Sequence, residues 1–195
     1  MQYDVAVINQ LIRNRRSVFP NQLEAGKKVD DEIVEQILEN ARWAPNHGQS
    51  EPWHFVVFTG EGLKKLANFQ SELYKQEAGA NFKEATYANL KANPLKASHV
   101  IAVGMKRSAA KRFPEIEEII AVACAIENMY LSVTAYGLGG YLTTGGVTYK
   151  ESAKSFFGLG EEDKLFGFFY IGHVAVPSPA AKRQPLEDKV VWVRE

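Results

Sequence analysis

Cysteine is almost missing from this chain of 195 residues, with Cys124 the single example. One thiol excludes an intramolecular disulfide and any multi-cysteine metal or redox motif, and it fits a reducing compartment. Its surroundings, "AVACAIE", read as a buried core thiol rather than a reactive nucleophile. Net charge is missing too. The 23 basic and 23 acidic side chains cancel, so nothing directs the chain as a whole to nucleic acid or an anionic membrane. The histidines His47, His54, His99 and His173 are scattered, and no pair has the spacing of a zinc motif. The first twenty residues lack the charged start, apolar run and cleavage site of a signal peptide, which predicts a cytoplasmic protein. Between Glu127 and Lys150 no residue is charged, yet glycines and hydroxyls interrupt the stretch, which is wrong for a lipid-facing helix.

What is present suits one compact α+β domain over residues 1–195, with 46% hydrophobic residues available for a core. Val5, Ile8, Leu11 and Ile12 recur at helical spacing after Asp4, predicting a first helix that ends near Arg13 to Arg16. In "VDDEIVEQILENARWAP", Asp30 or Asp31 caps a second helix whose face is Ile33, Ile37, Leu38 and Ala41, and Pro45 stops it. "WHFVVFTG" reads as a short buried strand and Glu61 to Glu77 as a third helix. Segment 78–97 is polar and fits no pattern. "SHVIAVGM" is an interior strand, and residues 114–136 form a helix apolar nearly all round, hence buried, about 34 Å long at ~1.5 Å per residue. Gly137 is its natural left-handed cap. "GLGGYLTTGG" reads as a loop, "KESAKSFFG" as a short helix and "KLFGFFYIGHVAV" as a late strand. Residues 186–195 have strand character without a local partner, which points to docking on a distant strand or a second subunit.

No nucleophile with its base, paired acids or metal ligands at helical spacing stands out. What remains is suited to a large, flat, anionic cofactor. Arg15, Arg16 and Ser17 place cations and a hydroxyl where backbone amides become available, and guanidinium matches phosphate bidentately. Lys182 and Arg183 form a second cationic cluster, and "GLGGYLTTGG" can bring backbone amides close to a planar ring. Each has an ordinary alternative: a solvated helix end, a surface pair, a cap and turn. Neither a dinucleotide fingerprint nor a P-loop fits the glycine spacing.

Taken in order, "RRS", "ARWAPNHGQSEPWHFVVF", "YGLGGYLTTGG", "LFGFFYIGHVAVP" and "KRQPLEDKVVW" resemble the FMN-dependent nitroreductase family, over residues 8–193 and closest to its small single-domain branch with an "APxH" turn. The resemblance implies a nitroreductase-like α+β fold: a central, mostly antiparallel sheet, flanking helices, a long buried central helix, and an interlocked homodimer with two FMN sites in its interface. It implies that Arg15, Arg16 and Ser17 receive the FMN phosphate and ribityl chain, joined by Lys182 and Arg183. His47 would reach the flavin from the other subunit, and Gln49 would contact its pyrimidine edge. Leu142, Thr143, Thr144 and Gly145 would pass the reactive edge of the ring. The chain departs from the family at Glu51, whose carboxylate would oppose flavin reduction unless it faces solvent. It departs again at Leu142 and Thr143, where a tryptophan and a polar residue are common.

The activity implied is an oxidoreductase in which NADH or NADPH reduces FMN and a nitroaromatic or quinone acceptor then reoxidises it in the same pocket. The flavin carries the chemistry, so no catalytic side chain and no metal is required. A flavin-binding carrier or sensor without turnover is the rival from another class. A specialised reductive, dehalogenase-like member is the rival within the family.

Overall fold

The computed structural model describes residues 2–195. Four antiparallel strands, β1 (Trp53–Thr59), β2 (His99–Met105), β3 (Leu138–Thr143) and β4 (Lys164–His173), form one sheet in the order β1-β2-β4-β3. The two central strands read as continuous apolar runs because both faces of the sheet are covered. Successive side chains of a strand point to opposite faces, so Ile101, Val103, Phe169 and Ile171 enter one core while Val100, Ala102, Phe168 and Tyr170 enter the other.

The first core is closed by α2 (Asp31–Arg42) and α5 (Glu115–Ala135), the second by α3 (Glu61–Glu77) with the segment Val18–Leu23. In α2 the buried residues are Val34, Ile37 and Ala41, with Ile33 and Leu38 only partly covered. Asp30 sits at the cap position without a side-chain cap bond. β1 is an edge strand, so its residues are mostly half-buried rather than buried as the sequence suggests. Segment 78–97 forms α4 (Glu84–Ala92) between two short 3₁₀ turns and packs on α3. Residues 151–157 are also 3₁₀, closed by Gly158 at φ +69°.

α1 (Val5–Asn14) begins where Asp4 accepts the Ala6 amide at 2.8 Å and ends before Arg15. None of its residues is buried. α5 departs from expectation in the same way. All-round apolarity predicts full burial, yet one flank is open, with Ile116 57% and Ile120 55% exposed. Its inner flank packs on α2 and the sheet, and Glu118 is buried against Arg107 and the Ser108 amide. Cys124, on this helix, is half-buried rather than buried.

Residues 138–143 are a strand, not the loop that their glycines suggest. The Val18 amide donates to the Gly140 carbonyl at 2.9 Å, laying the chain after α1 alongside β3. A Cβ on Gly139 would stand 2.9 Å from Val18 and Leu23, and one on Gly140 2.8 Å from Phe169 and Val133. Close packing on both faces, not a turn, requires these two glycines. The strand-like tail forms no strand: past a turn at Glu187–Lys189, Val191, Trp192 and Val193 are exposed.

Candidate functional site

The segment laid alongside β3 also builds a trough. One cavity of about 670 Å³ is lined by Arg16, Ser17 and residues 178–181. A second of about 400 Å³ is lined by Gln70, Asn89, Lys96, Tyr141, Thr143 and Gly145, among others. Phe19 and Asn21 line both, so the cavities adjoin. Phe19 is held over Tyr141 with ring centroids 4.6 Å apart. Each cavity falls in the size range of small-molecule sites. Two cations, Arg16 and Lys96, face the trough and no carboxylate lines it. Burial, and then the neighbouring Tyr141, pushes the Tyr170 phenol far above its ordinary value, so its hydroxyl remains a protonated donor.

Arg16 is the cation best placed at the wide end. Its guanidinium donates to the carbonyls of Arg13 at 2.6 Å, Arg15 at 2.8 Å and Pro179 at 3.3 Å. The Ser17 carbonyl accepts from Ser178 Oγ at 2.9 Å, tying the far segment to this rim. Lys182 and Arg183 follow that rim directly and are exposed. Arg15 points the other way, toward α5, with its guanidinium 5.0 Å from the centre of the Tyr130 ring and 3.8 Å from Glu127.

Strand alternation divides the next predicted group. Thr143 and Gly145 face the trough, whereas Leu142 and Thr144 line a separate apolar cavity of about 520 Å³ with Ile119, Ala123 and Phe166. The Gly145 amide is only loosely engaged, 3.5 Å from Thr143 Oγ1.

His47 and Gln49 lie elsewhere, at the amino-terminal end of α5. His47 stacks on Phe113 with ring centroids 3.8 Å apart, and its Nδ1 is 2.5 Å from Glu117 Oε2. Gln49 and Glu51 adopt positive φ, +53° and +41°, in a turn pinned by the Glu51 amide donating to Asn46 Oδ1 at 3.1 Å. Both side chains are exposed, so Glu51 faces solvent in the single chain. Glu117, beside His47, and Glu127, beside Arg15, are ten residues apart on one helix, which is about 15 Å. Within one chain, therefore, the structure brings Arg16, Ser17, Thr143 and Gly145 to adjoining cavities, leaves Lys182 and Arg183 exposed just past the lining segment 178–181, turns Arg15 toward α5, and leaves His47 and Gln49 apart.

Among the described residues no cluster of three or more His, Cys, Asp or Glu could hold a metal. Among the lining residues missed from sequence are Gln70, Asn89, Lys96 and Tyr141. The one available signal was Gln70, a polar residue inside the apolar stripe of α3.

The Nitroreductase family matches this chain over residues 12–173. The chain belongs to the nitroreductase family. It is 30% identical over 163 residues to the Escherichia coli K12 protein named "Putative NAD(P)H nitroreductase YdjA", covering 84% of this chain and 86% of that one. A nitroreductase-like family protein from Bacillus cereus superposes with a TM-score of 0.80 at 26% identity, covering 99% of this chain and 98% of the other. A "putative nitroreductase" from Desulfovibrio desulfuricans, crystallised in complex with FMN, shares the fold with a TM-score of 0.70 at 22% identity over 99% of both chains. The nitroreductase fold thus accounts for the antiparallel sheet and for the long α5 packed across it.

Proposed function

We propose that this nitroreductase-family protein is an FMN-dependent NAD(P)H oxidoreductase that reduces nitroaromatic or quinone acceptors in two alternating half-reactions, and that it works as a cytoplasmic homodimer. The observation that carries this reading is the trough running from Arg16 and Ser17 to Thr143 and Gly145, cationic, rich in donors and free of lining carboxylates. These residues fit FMN. A phosphate placed at Arg16 exchanges neutral carbonyl acceptors for a charged one, a stronger bond, with Ser17 lining the same cavity and Lys182 and Arg183 following its far wall in the chain. When bound, FMN supplies the two-electron transfer between nicotinamide and acceptor. The protein's part is to hold, orient and polarise. Its weakly engaged Gly145 amide is free to donate to a ring nitrogen, and Leu142 and Thr144 present a largely apolar wall on the α5 side.

The exposed flanks of α1 and α5 support a second copy as the partner. Monomers rarely leave large apolar patches open. Two copies of α5 packed antiparallel would bring the His47–Gln49 turn of one chain opposite Glu127 and Arg15 of the other, closing the separation of about 15 Å that one chain cannot close. The exposed Val191–Val193 tail would then cover the neighbouring subunit.

The test is an absorbance spectrum of protein purified without added cofactor, with the chromophore released by heat and identified by chromatography. Anaerobic titration with NADH and NADPH follows, then turnover with a nitroaromatic and a quinone. FMN reduced by nicotinamide and reoxidised by acceptor is the expected result. A fully FMN-loaded protein that nicotinamide leaves oxidised sinks the reductase reading in favour of a carrier or sensor.

A further inference from the structure

α3 buries Leu63, Leu66, Ala67, Gln70 and Ser71, an inward stripe at helical spacing. Gln70 occupies a position that leucine or methionine could fill. It is 1% exposed, and its Nε2 is the one buried side-chain nitrogen or oxygen among the described residues without a hydrogen-bond partner. A buried amide left unpaired is a net cost to the folded chain, so such a group calls for a partner from outside. Gln70 lines the narrow end of the trough. Beside it stand the amides of Asn89 and Asn93 and the phenol of Tyr170, and Lys96 Nζ is held 3.0 Å from Asn93 Oδ1. This set is several donors and one cation, with no carboxylate.

We propose that Gln70 is the deep hydrogen-bond partner of the flavin's pyrimidine edge, the role that family resemblance gives to Gln49. The inference rests on the reading of the trough as the FMN site. The pyrimidine edge carries two carbonyls flanking an N–H, and a carboxamide, with donors and an acceptor on one planar group, complements that alternation. Lys96, lining the same cavity, would offset the negative charge that a reduced flavin carries at that edge. Gln49 sits in an exposed turn outside the trough in its own chain. Gln70 is therefore the binding residue that each subunit supplies to its own site.

The test compares wild type with Gln70→Leu and Gln70→Glu. Apoprotein stability is read from urea midpoints, and Kd for oxidised and reduced FMN from fluorescence and anaerobic titration. Gln70→Leu is expected to bind FMN about 3–10-fold more weakly, the scale of one neutral hydrogen bond, while the apoprotein midpoint is unchanged or raised. Gln70→Glu is expected to weaken reduced FMN more than oxidised FMN, a ratio that a packing role would not move. Wild-type FMN affinity in Gln70→Leu, or an apoprotein destabilised by that change, overturns the assignment. Wild-type protein that takes up no FMN overturns the assignment and the reading of the trough together, and so separates the two failures.

Discussion

The hydroxyl of Tyr130 accepts a 2.7 Å hydrogen bond from the backbone N–H of Leu142. This bond joins the last turns of α5 to the end of β3, just before the chain leaves the strand toward Gly145 and the turn that follows. The same ring lies under the Arg15 guanidinium, so one side chain braces both the basic segment and the turn. Tyr130→Phe is expected to leave the Leu142 amide unpaired and lower stability by about 1–2 kcal/mol, measured by urea denaturation.

Gly167 is the tightest point of the sheet. Its φ is +144°, and a Cβ there would stand 2.3 Å from the Thr143 carbonyl oxygen. Backbone cannot retreat as a side chain can. Gly167→Ala is expected to cost about 3 kcal/mol or more and to loosen the pairing of Thr143 with Phe168, visible as faster amide exchange there. Wild-type stability in the purified variant would show that β3 can shift at no cost.

His99 links stability to pH. Asp31 Oδ1, an acceptor only, stands 3.1 Å from Nε2 and so holds the neutral ring's proton there; Nδ1 then accepts from the Ser98 hydroxyl at 2.9 Å, and Ser98 Oγ in turn accepts the Val29 N–H at 2.7 Å. Burial, the largest cause, holds the His99 pKa below its ordinary 6.5, against the opposing pull of Asp31 and with a small push from Lys28. As pH falls through that value the unfolded chain takes up a proton first, so stability is full above it and declines below it. The pKa of Asp31 is lowered by Lys28 and His99, and its contribution fades only below its ordinary 3.8, a separate window. Urea midpoints between about pH 8 and 5.5 should fall for the wild type and flatten in His99→Gln. Equal slopes in both would remove His99 as the cause.

Arg16→Ala tests the phosphate end of the proposed site. A charged hydrogen bond is worth about 1.5–3 kcal/mol, so the preference for FMN over riboflavin should fall about 10–150-fold in fluorescence titrations. Riboflavin affinity itself should change little. A preserved preference would move the phosphate to other cations.

Ile120→Lys tests the open flank of α5. Its side chain is 55% exposed in the single chain, so the charge is tolerated in the isolated fold but not within an apolar interface. Sedimentation should show wild-type dimer and variant monomer, with weakened FMN uptake in the variant. A dimeric variant would place the interface elsewhere.

Local sequence determined much of this protein. Asp4, Pro45 and Gly137 punctuate helices because a carboxylate, a missing N–H and freedom at positive φ act within a few residues. The apolar runs of β2 and β4 announce strands buried on both faces, and the order of the motifs identified the family. Tertiary structure decided what depends on distant chain. Gly139 and Gly140 resemble a loop until Val18, Leu23, Phe169 and Val133 are packed against them. The apolar circumference of α5 predicts burial, but only the fold shows which flank a single chain leaves open. Gln70 reads from sequence only as a polar residue inside an apolar stripe: it comes to line a cavity only when α3, α4 and β3 enclose the same space, because an unpaired amide acquires its meaning from what surrounds it.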